Sequence, residues 1–142
     1  MSRTYAGAIG TELANEEQVA KFAKTVERMD AAVITTASDV TDTAAQILGG
    51  IIDRDCASSA RSDVLPTAAL LVQAMREEKV GDVVKCLIVN NSDANEAITI
   101  VAGDGGTVKN IAAARTVPQN TSRMLFIIIT AIGAVPTYDV YM

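Results

Sequence analysis

The sequence contains no histidine and no tryptophan among its 142 residues. Histidine is the commonest general base near neutral pH and the commonest zinc ligand, so most hydrolase and metalloenzyme mechanisms would need an unusual substitute here. Aromatic residues make up only 4% of the chain, which disfavours sites that stack sugar rings on aromatic faces. These shortages disfavour an enzyme and favour a structural or binding protein.

Positive charge and long apolar runs are also scarce. The chain has 12 Lys and Arg against 17 Asp and Glu, for a formal net charge of −5. A nucleic-acid-binding surface needs clustered Lys and Arg to neutralise phosphates, so we expect no nucleic-acid partner. The longest apolar run, Met124 to Ile129, is far shorter than the ~20 residues that cross a bilayer, and no apolar leader follows Met1. We expect no membrane span and synthesis in the cytoplasm.

Three features look like ligand sites but are predicted to be structural. Cys56 and Cys86 lack metal-binding or redox spacing and are expected to be small buried hydrophobes. Gly103 to Gly106 lacks the Lys and Ser/Thr of a phosphate loop and is expected to be a tight hairpin connection. The segment 53–63 mixes Asp and Arg without the ligand spacing of a calcium loop, which favours a solvated surface loop. No catalytic residue, cofactor or metal site is predicted.

The clearest helical pattern runs from Glu12 to Met29. Its apolar residues recur at spacings of three, four and three, and they are Val19, Phe22, Val26 and Met29. This seam is narrow, as in helices that pack against one partner helix or a groove, although a helix packed on its own domain fits equally well. Residues 1–30 are therefore predicted to be an N-terminal helical arm whose seam is a candidate interaction surface.

Residues 31–142 are predicted to form one β domain, because short β-prone segments alternate with polar turns. Strands are expected at 31–36, 44–52 with a bend at its glycine pair, 82–89, 96–102, 107–112, 123–132 and 137–142. One short helix begins after the capping residue Thr67 and runs to about Arg76. The predicted fold is mainly β, an antiparallel β-sandwich or small barrel with an N-terminal helix and one short internal helix.

The predicted strand at 123–132 does not alternate apolar and polar residues, so both of its faces need cover. The facing sheet covers one face, and a helix or a neighbouring subunit must cover the other. We predict that the second face is buried between copies, with Leu125, Ile127 and Ile129 as contact residues. A homo-oligomer follows, and a trimer is favoured by analogy with other β-sandwich proteins.

Several segments between residue 49 and the C terminus carry a family resemblance. They are Gly49 to Asp55 (GGIIDRD), Leu65 to Leu71 (LPTAALL), Gly81-Asp82, Ile88 to Asn91 (IVNN), Ala97 to Gly105 (AITIVAGDG) and Tyr138 to Tyr141 (YDVY). Together they resemble small virion structural proteins of tailed phages and large DNA viruses. The resemblance implies a minor capsid or decoration role, no catalytic residues, and the major capsid protein or other virion proteins as partners. Such sequences usually have Pro-Gly after the Arg-Asp pair, where this chain has Cys56-Ala57.

The sequence therefore predicts a non-enzymatic virion structural protein that stabilises the shell through contacts with its own copies and with capsomers. The alternative is a ligand-binding β-sandwich module that recognises a carbohydrate or receptor through the loops at 90–95 and 119–122. A small hydrolase is the least favoured class, because no histidine is available to activate a serine.

Overall fold

The computed structural model describes residues 28–142. The arm predicted at residues 1–30 lies outside the described residues except for its last three positions, and so do Val19, Phe22 and Val26 of its seam. The described chain is mainly β, as predicted, and its strands form two sheets. The elements are β1 (Asp30–Ile34), β2 (Val40–Thr41), α1 (Ala44–Gly49), β3 (Gly50–Arg54), β4 (Arg61–Val64), α2 (Ala68–Ala74), β5 (Val83–Asn90), β6 (Ile98–Val101), β7 (Gly106–Val108), β8 (Thr116–Val117), β9 (Ser122–Ala131) and β10 (Thr137–Tyr141).

The chain changes sheet after almost every strand. The odd-numbered strands and β10 form a six-stranded sheet in the order β1-β3-β5-β9-β10-β7, and the other strands form a four-stranded sheet in the order β2-β4-β6-β8. The chain leaves each sheet for one strand and then returns to it in the same direction. As a result β1, β3 and β5 are parallel to one another, and so are β2, β4 and β6. The predicted antiparallel arrangement is wrong for these strands, because most polar turns carry the chain across to the other sheet.

Residues 44–52, predicted to be one strand with a glycine bend, instead form helix α1 followed by β3. Thr43 caps the helix, since its side chain accepts a hydrogen bond from the Gln46 backbone at 3.1 Å while the Gln46 side chain accepts one from the Thr43 backbone at 2.8 Å. Gly50 ends the helix with a left-handed φ of 92°. The glycine pair is therefore a helix terminus, which glycine favours because it lacks Cβ. The described residues thus hold a second internal helix that was not predicted.

The short helix predicted to begin after Thr67 is confirmed. Thr67 accepts a hydrogen bond from the Leu70 backbone at 3.2 Å, and α2 runs from Ala68 to Ala74. The predicted hairpin at Gly103 to Gly106 is wrong, because β6 pairs with β8 while β7 pairs in parallel with β10. Instead, the turn places the backbone of Gly106 against the ring of Tyr138. A side chain at this position would overlap the ring, because a Cβ on Gly106 would coincide with its atoms.

One hydrophobic core lies between the two sheets. It joins inward side chains of the six-stranded sheet to Ile98, Ile100 and Val117 of the four-stranded sheet, and it includes Ile47 of α1 and Leu71 of α2. Both cysteines are free and fully buried in this core, as predicted.

Candidate interaction surface

The inner face of the six-stranded sheet holds the three predicted contact residues of β9. Leu125, Ile127 and Ile129 each have an exposed fraction of 0% and belong to the core cluster. Their predicted contact with a second copy is corrected by this burial, because they already pack on the chain's own interior and leave no surface for a partner. A contact through β9 must use the side chains that alternate with them.

Those alternating side chains form what we call the outer face of the six-stranded sheet. Its larger apolar members are Val33 of β1, Ile51 of β3, Val83, Leu87 and Val89 of β5, Met124, Phe126 and Ile128 of β9, and Tyr141 of β10. The strand register places Leu87 opposite Met124, and it places Tyr141 opposite Phe126. These apolar side chains are therefore neighbours across the three adjacent strands β5, β9 and β10.

The outer face is open in the described chain. The exposed fractions are 48% for Val83, 40% for Phe126 and 45% for Tyr141, while Val33 at 70% lies apart from them beyond Asp53, its partner on β3. A single exposed apolar side chain is ordinary, whereas several on one sheet face make a patch of the kind that marks protein contacts. This face is the candidate interaction surface.

A few charged residues interrupt the outer face. Lys85 lies opposite Phe126 in the β5–β9 register, while Asp139 of β10 meets Lys109 with 3.7 Å between Nζ and Oδ2. Charges of both signs at a largely apolar surface fix the orientation of a partner more than they strengthen its binding.

Met29, the last residue of the predicted seam, is the one seam residue that the structure describes. It is 56% exposed, and its side chain lies beside Gly50, with Cγ 3.5 Å from the position that a Cβ there would occupy. The predicted contact residues therefore do not form one surface. Met29 is exposed, whereas Leu125, Ile127 and Ile129 are buried in the core.

A buried ion pair links the two sheets, in the segment predicted to be a solvated loop. Arg54 of β3 and Asp63 of β4 are both 0% exposed, and Arg54 Nε lies 3.0 Å from Asp63 Oδ2. The guanidinium also donates to the backbone oxygens of Thr36 and Asp55 at 2.8 Å each and of Ser38 at 2.7 Å. The prediction was wrong here because Arg54 and Asp63 belong to strands. The role of this pair is structural, since the hydrogen bonds of Arg54 go to Asp63 and to backbone oxygens of the same domain.

Asp42 is a second buried acid near this pair. It is 1% exposed, and neither carboxylate oxygen has a hydrogen-bond partner among residues 28–142. Burial and, to a smaller extent, the charge of Asp63 raise the pKa of Asp42 to about 7, with Arg54 opposing. A carboxyl group in these surroundings holds its proton to near neutral pH. Burial also raises the pKa of Cys86 to about 12, so that thiol is not an activated nucleophile.

The loop at 90–95, predicted to offer ligand contacts in the alternative function, is partly internal. Asn90 Nδ2 donates to the backbone oxygens of Glu96 at 2.7 Å and Val117 at 2.9 Å. Ser92 accepts a hydrogen bond from the Cys56 backbone at 2.9 Å. These side chains hold the loop against the domain and are buried, so they cannot recognise a sugar.

Sequence reasoning missed the exposed members of the outer face. Phe126, Val83 and Tyr141 were not predicted as contacts, because an unbroken apolar strand gives no sign of which alternate set faces outward. One signal existed in β5, where Lys85 marks the exposed side of an otherwise apolar strand. Connecting Lys85 to Phe126 required the strand register.

Among residues 28–142, no three His, Cys, Asp or Glu side chains come together in a way that would hold a metal ion. No helix in the same range has the length and apolar character needed to cross a membrane. Comparisons with protein-family models, curated proteins and solved structures found no match to this chain.

Proposed function

We propose that this chain is a non-enzymatic virion structural protein, a minor capsid or capsid-decoration component that acts by assembling. The observation that carries the proposal is the outer face, where Val83, Phe126 and Tyr141 are exposed on the three adjacent strands β5, β9 and β10. The family resemblance between residue 49 and the C terminus supports the virion setting. The two sheets enclosing one core support a β-sandwich subunit.

The area of the outer face favours many weak contacts in a lattice over one strong contact between two copies. Six strands about 4.8 Å apart, each about 17 Å long, present a face of roughly 400 Å². A standard specific interface covers about 800 Å² per partner, so the outer face supplies about half. Contacts of this size become effective when many copies bind the same assembled shell, because binding only the assembled state stabilises it by mass action.

In this proposal the outer face contacts further copies of the chain, with a three-fold arrangement favoured, and the major capsid protein or another virion protein completes the interface. Carbohydrate or receptor recognition is less well supported. Asn90 and Ser92 are engaged within the domain, which leaves Asn91, Asp93 and Asn95 as the exposed polar residues of that loop, and the chain has few aromatic side chains for stacking.

The direct test is the protein composition of purified virus particles. Mass spectrometry of density-purified particles should find this chain in stoichiometric copy number, and cryo-microscopy of the same particles should place it on the shell at a symmetry-related set of positions. A particle proteome without the chain, or its presence only in infected-cell extract, would refute the virion role.

A further inference from the structure

A groove of about 510 Å³ opens where residues 28–29 enter the domain. Its walls come from the C-terminal ends of α1 and α2, the first residues of β5 and one residue of β9. It borders the outer face, since Val83, Lys85 and Met124 belong to both. The groove is thus a separate concave site beside a flat apolar sheet.

The groove combines apolar adaptability with positive charge. Three of the five methionines of the chain line it, Met29, Met75 and Met124. Methionine side chains are unbranched and polarisable, and they adapt to irregular apolar partners. Among residues 28–142, the charged members of the lining are Arg28, Arg76 and Lys85, with no carboxylate. Such a site fits an apolar helix face bordered by acidic residues.

We infer that this groove binds the predicted helical segment Glu12 to Glu27 of the same chain, through Val19, Phe22 and Val26. The position of this segment in the chain places it at the groove. It ends at Glu27, next to Arg28 and Met29, which both line the groove. Arg28 and Met29 are not helical, so a helix over residues 12–27 would begin one or two residues from the mouth of the groove.

The charges of the predicted helix are compatible with this lining. An α-helix turns by about 100° per residue, which places Lys21 and Lys24 on the side of the predicted helix away from the seam and one acid, Glu12, beside it. The side of the helix that would enter the groove is therefore apolar and carries no lysine, whereas the groove that would receive it has a cationic border.

The segment is also tethered at the groove. Its sixteen residues extend about 24 Å as a helix, at 1.5 Å per residue. Because the segment is joined to the groove wall without an intervening linker, its local concentration there is in the millimolar range or above, and the same segment of a second copy must compete with it. Docking within one chain is therefore favoured.

This inference goes beyond the proposed function and does not depend on it. The docked segment would be a feature of the isolated subunit, whether or not that subunit is part of a virion. Its test uses the purified full-length chain, whereas the test of the virion role uses particles, so either can fail alone.

The test exploits the absence of tryptophan from the chain. Phe22→Trp introduces a single indole whose emission reports its surroundings. We expect blue-shifted emission and weak quenching by acrylamide, both unchanged on dilution. Adding Lys85→Glu and Arg76→Glu should shift the emission to the red and raise quenching several-fold. Lys109→Glu is the matched control, because it makes the same charge change per site at the far edge of the sheet, and it should leave the emission unchanged.

Circular dichroism and thermal unfolding of each variant establish that the domain remains folded, and Lys85→Glu or Arg76→Glu alone replaces the double variant if that one unfolds. Emission typical of water-exposed indole in the parent would overturn the inference. Burial that appears only at high protein concentration would overturn it in favour of a second copy as the source of the segment. Burial that is insensitive to the groove substitutions would show that the segment packs elsewhere.

Discussion

Arg54 on β3 and Asp63 on β4 form a fully buried ion pair that joins the two sheets, with Nε 3.0 Å from Oδ2 and 3.2 Å from Oδ1. Removing one partner of a buried pair leaves an uncompensated charge, which typically lowers stability by about 3–5 kcal/mol. Asp63→Asn should therefore lower the free energy of unfolding by an amount in this range, measured by urea denaturation.

The same measurement on Arg54→Met with Asp63→Leu separates the ion pair from the rest of the network. Buried pairs can often be replaced by apolar residues without loss, but Arg54 also donates to the backbone oxygens of Thr36, Ser38 and Asp55. The double variant should thus remain destabilised. Recovery of the parent stability would show that these carbonyl contacts contribute little.

Asp42 should make the protein less stable as the pH rises. Its pKa in the folded chain is about 7, against an ordinary value of 3.8, so between these values the folded state holds a proton that the unfolded chain has released. The contribution of Asp42 to the free energy of unfolding is therefore largest below about pH 4, decreases up to about pH 7 and is constant above, with a total change of at most about 4 kcal/mol.

Asp42→Asn is the control for this titration. The variant should lack the decrease, so that its stability relative to the parent improves as the pH rises from about 4 to about 7. Urea unfolding of both proteins across this range gives the comparison. Parallel curves would contradict the assignment.

Tyr138 connects β10 to the turn before α2. Its hydroxyl donates to the Pro66 backbone oxygen at 2.8 Å and accepts from the Gly103 backbone at 3.1 Å. Tyr138→Phe leaves those two buried backbone groups without this partner, and a loss of about 1–3 kcal/mol is expected. Tyr141→Phe, at an exposed position on the outer face, should change stability by less than about 0.5 kcal/mol. Equal effects in thermal unfolding would argue against this role of the Tyr138 hydroxyl.

Phe126 tests the outer face. Phe126→Asp places a charge at the centre of the apolar patch, so it should abolish self-association in sedimentation velocity and weaken incorporation into particles. Because Phe126 is 40% exposed, the melting temperature should change little. Ile111→Asp is the control, at a position 74% exposed and away from the sheet strands. A parent protein that stays monomeric at high concentration would refute assembly through this face.

The sequence predicted those features that are encoded locally. Thr67 caps α2 through its own side chain, and the alternation of Lys85 with buried neighbours describes β5 without tertiary information. One local feature was missed. Thr43 and Gln46 form a capping box that could have been found from the sequence, but the pair Gly49-Gly50 suggested a bent strand instead. Features that depend on distant segments also escaped prediction. The pairing of Arg54 with Asp63 could not be predicted, because it requires knowing that their strands lie in different sheets.

The outward side of β9 was equally inaccessible. Leu125 and Phe126 have the same hydrophobic character, and only the register with Lys85 distinguishes the buried set from the exposed one. The contact residues at Val19, Phe22 and Val26 remain a prediction that the structure does not test.

The alternation of the chain between two sheets has a kinetic consequence. Among residues 28–142, β9 and β10 are the sole pair of consecutive strands that hydrogen-bond to each other, and every other pairing skips at least one strand. Distant partners must therefore meet before most backbone bonds can form, which places refolding in the millisecond-to-second range typical of non-local topologies. The β9–β10 hairpin is the one pairing in this range that closes a short loop, so we expect it to form before the pairings that skip a strand.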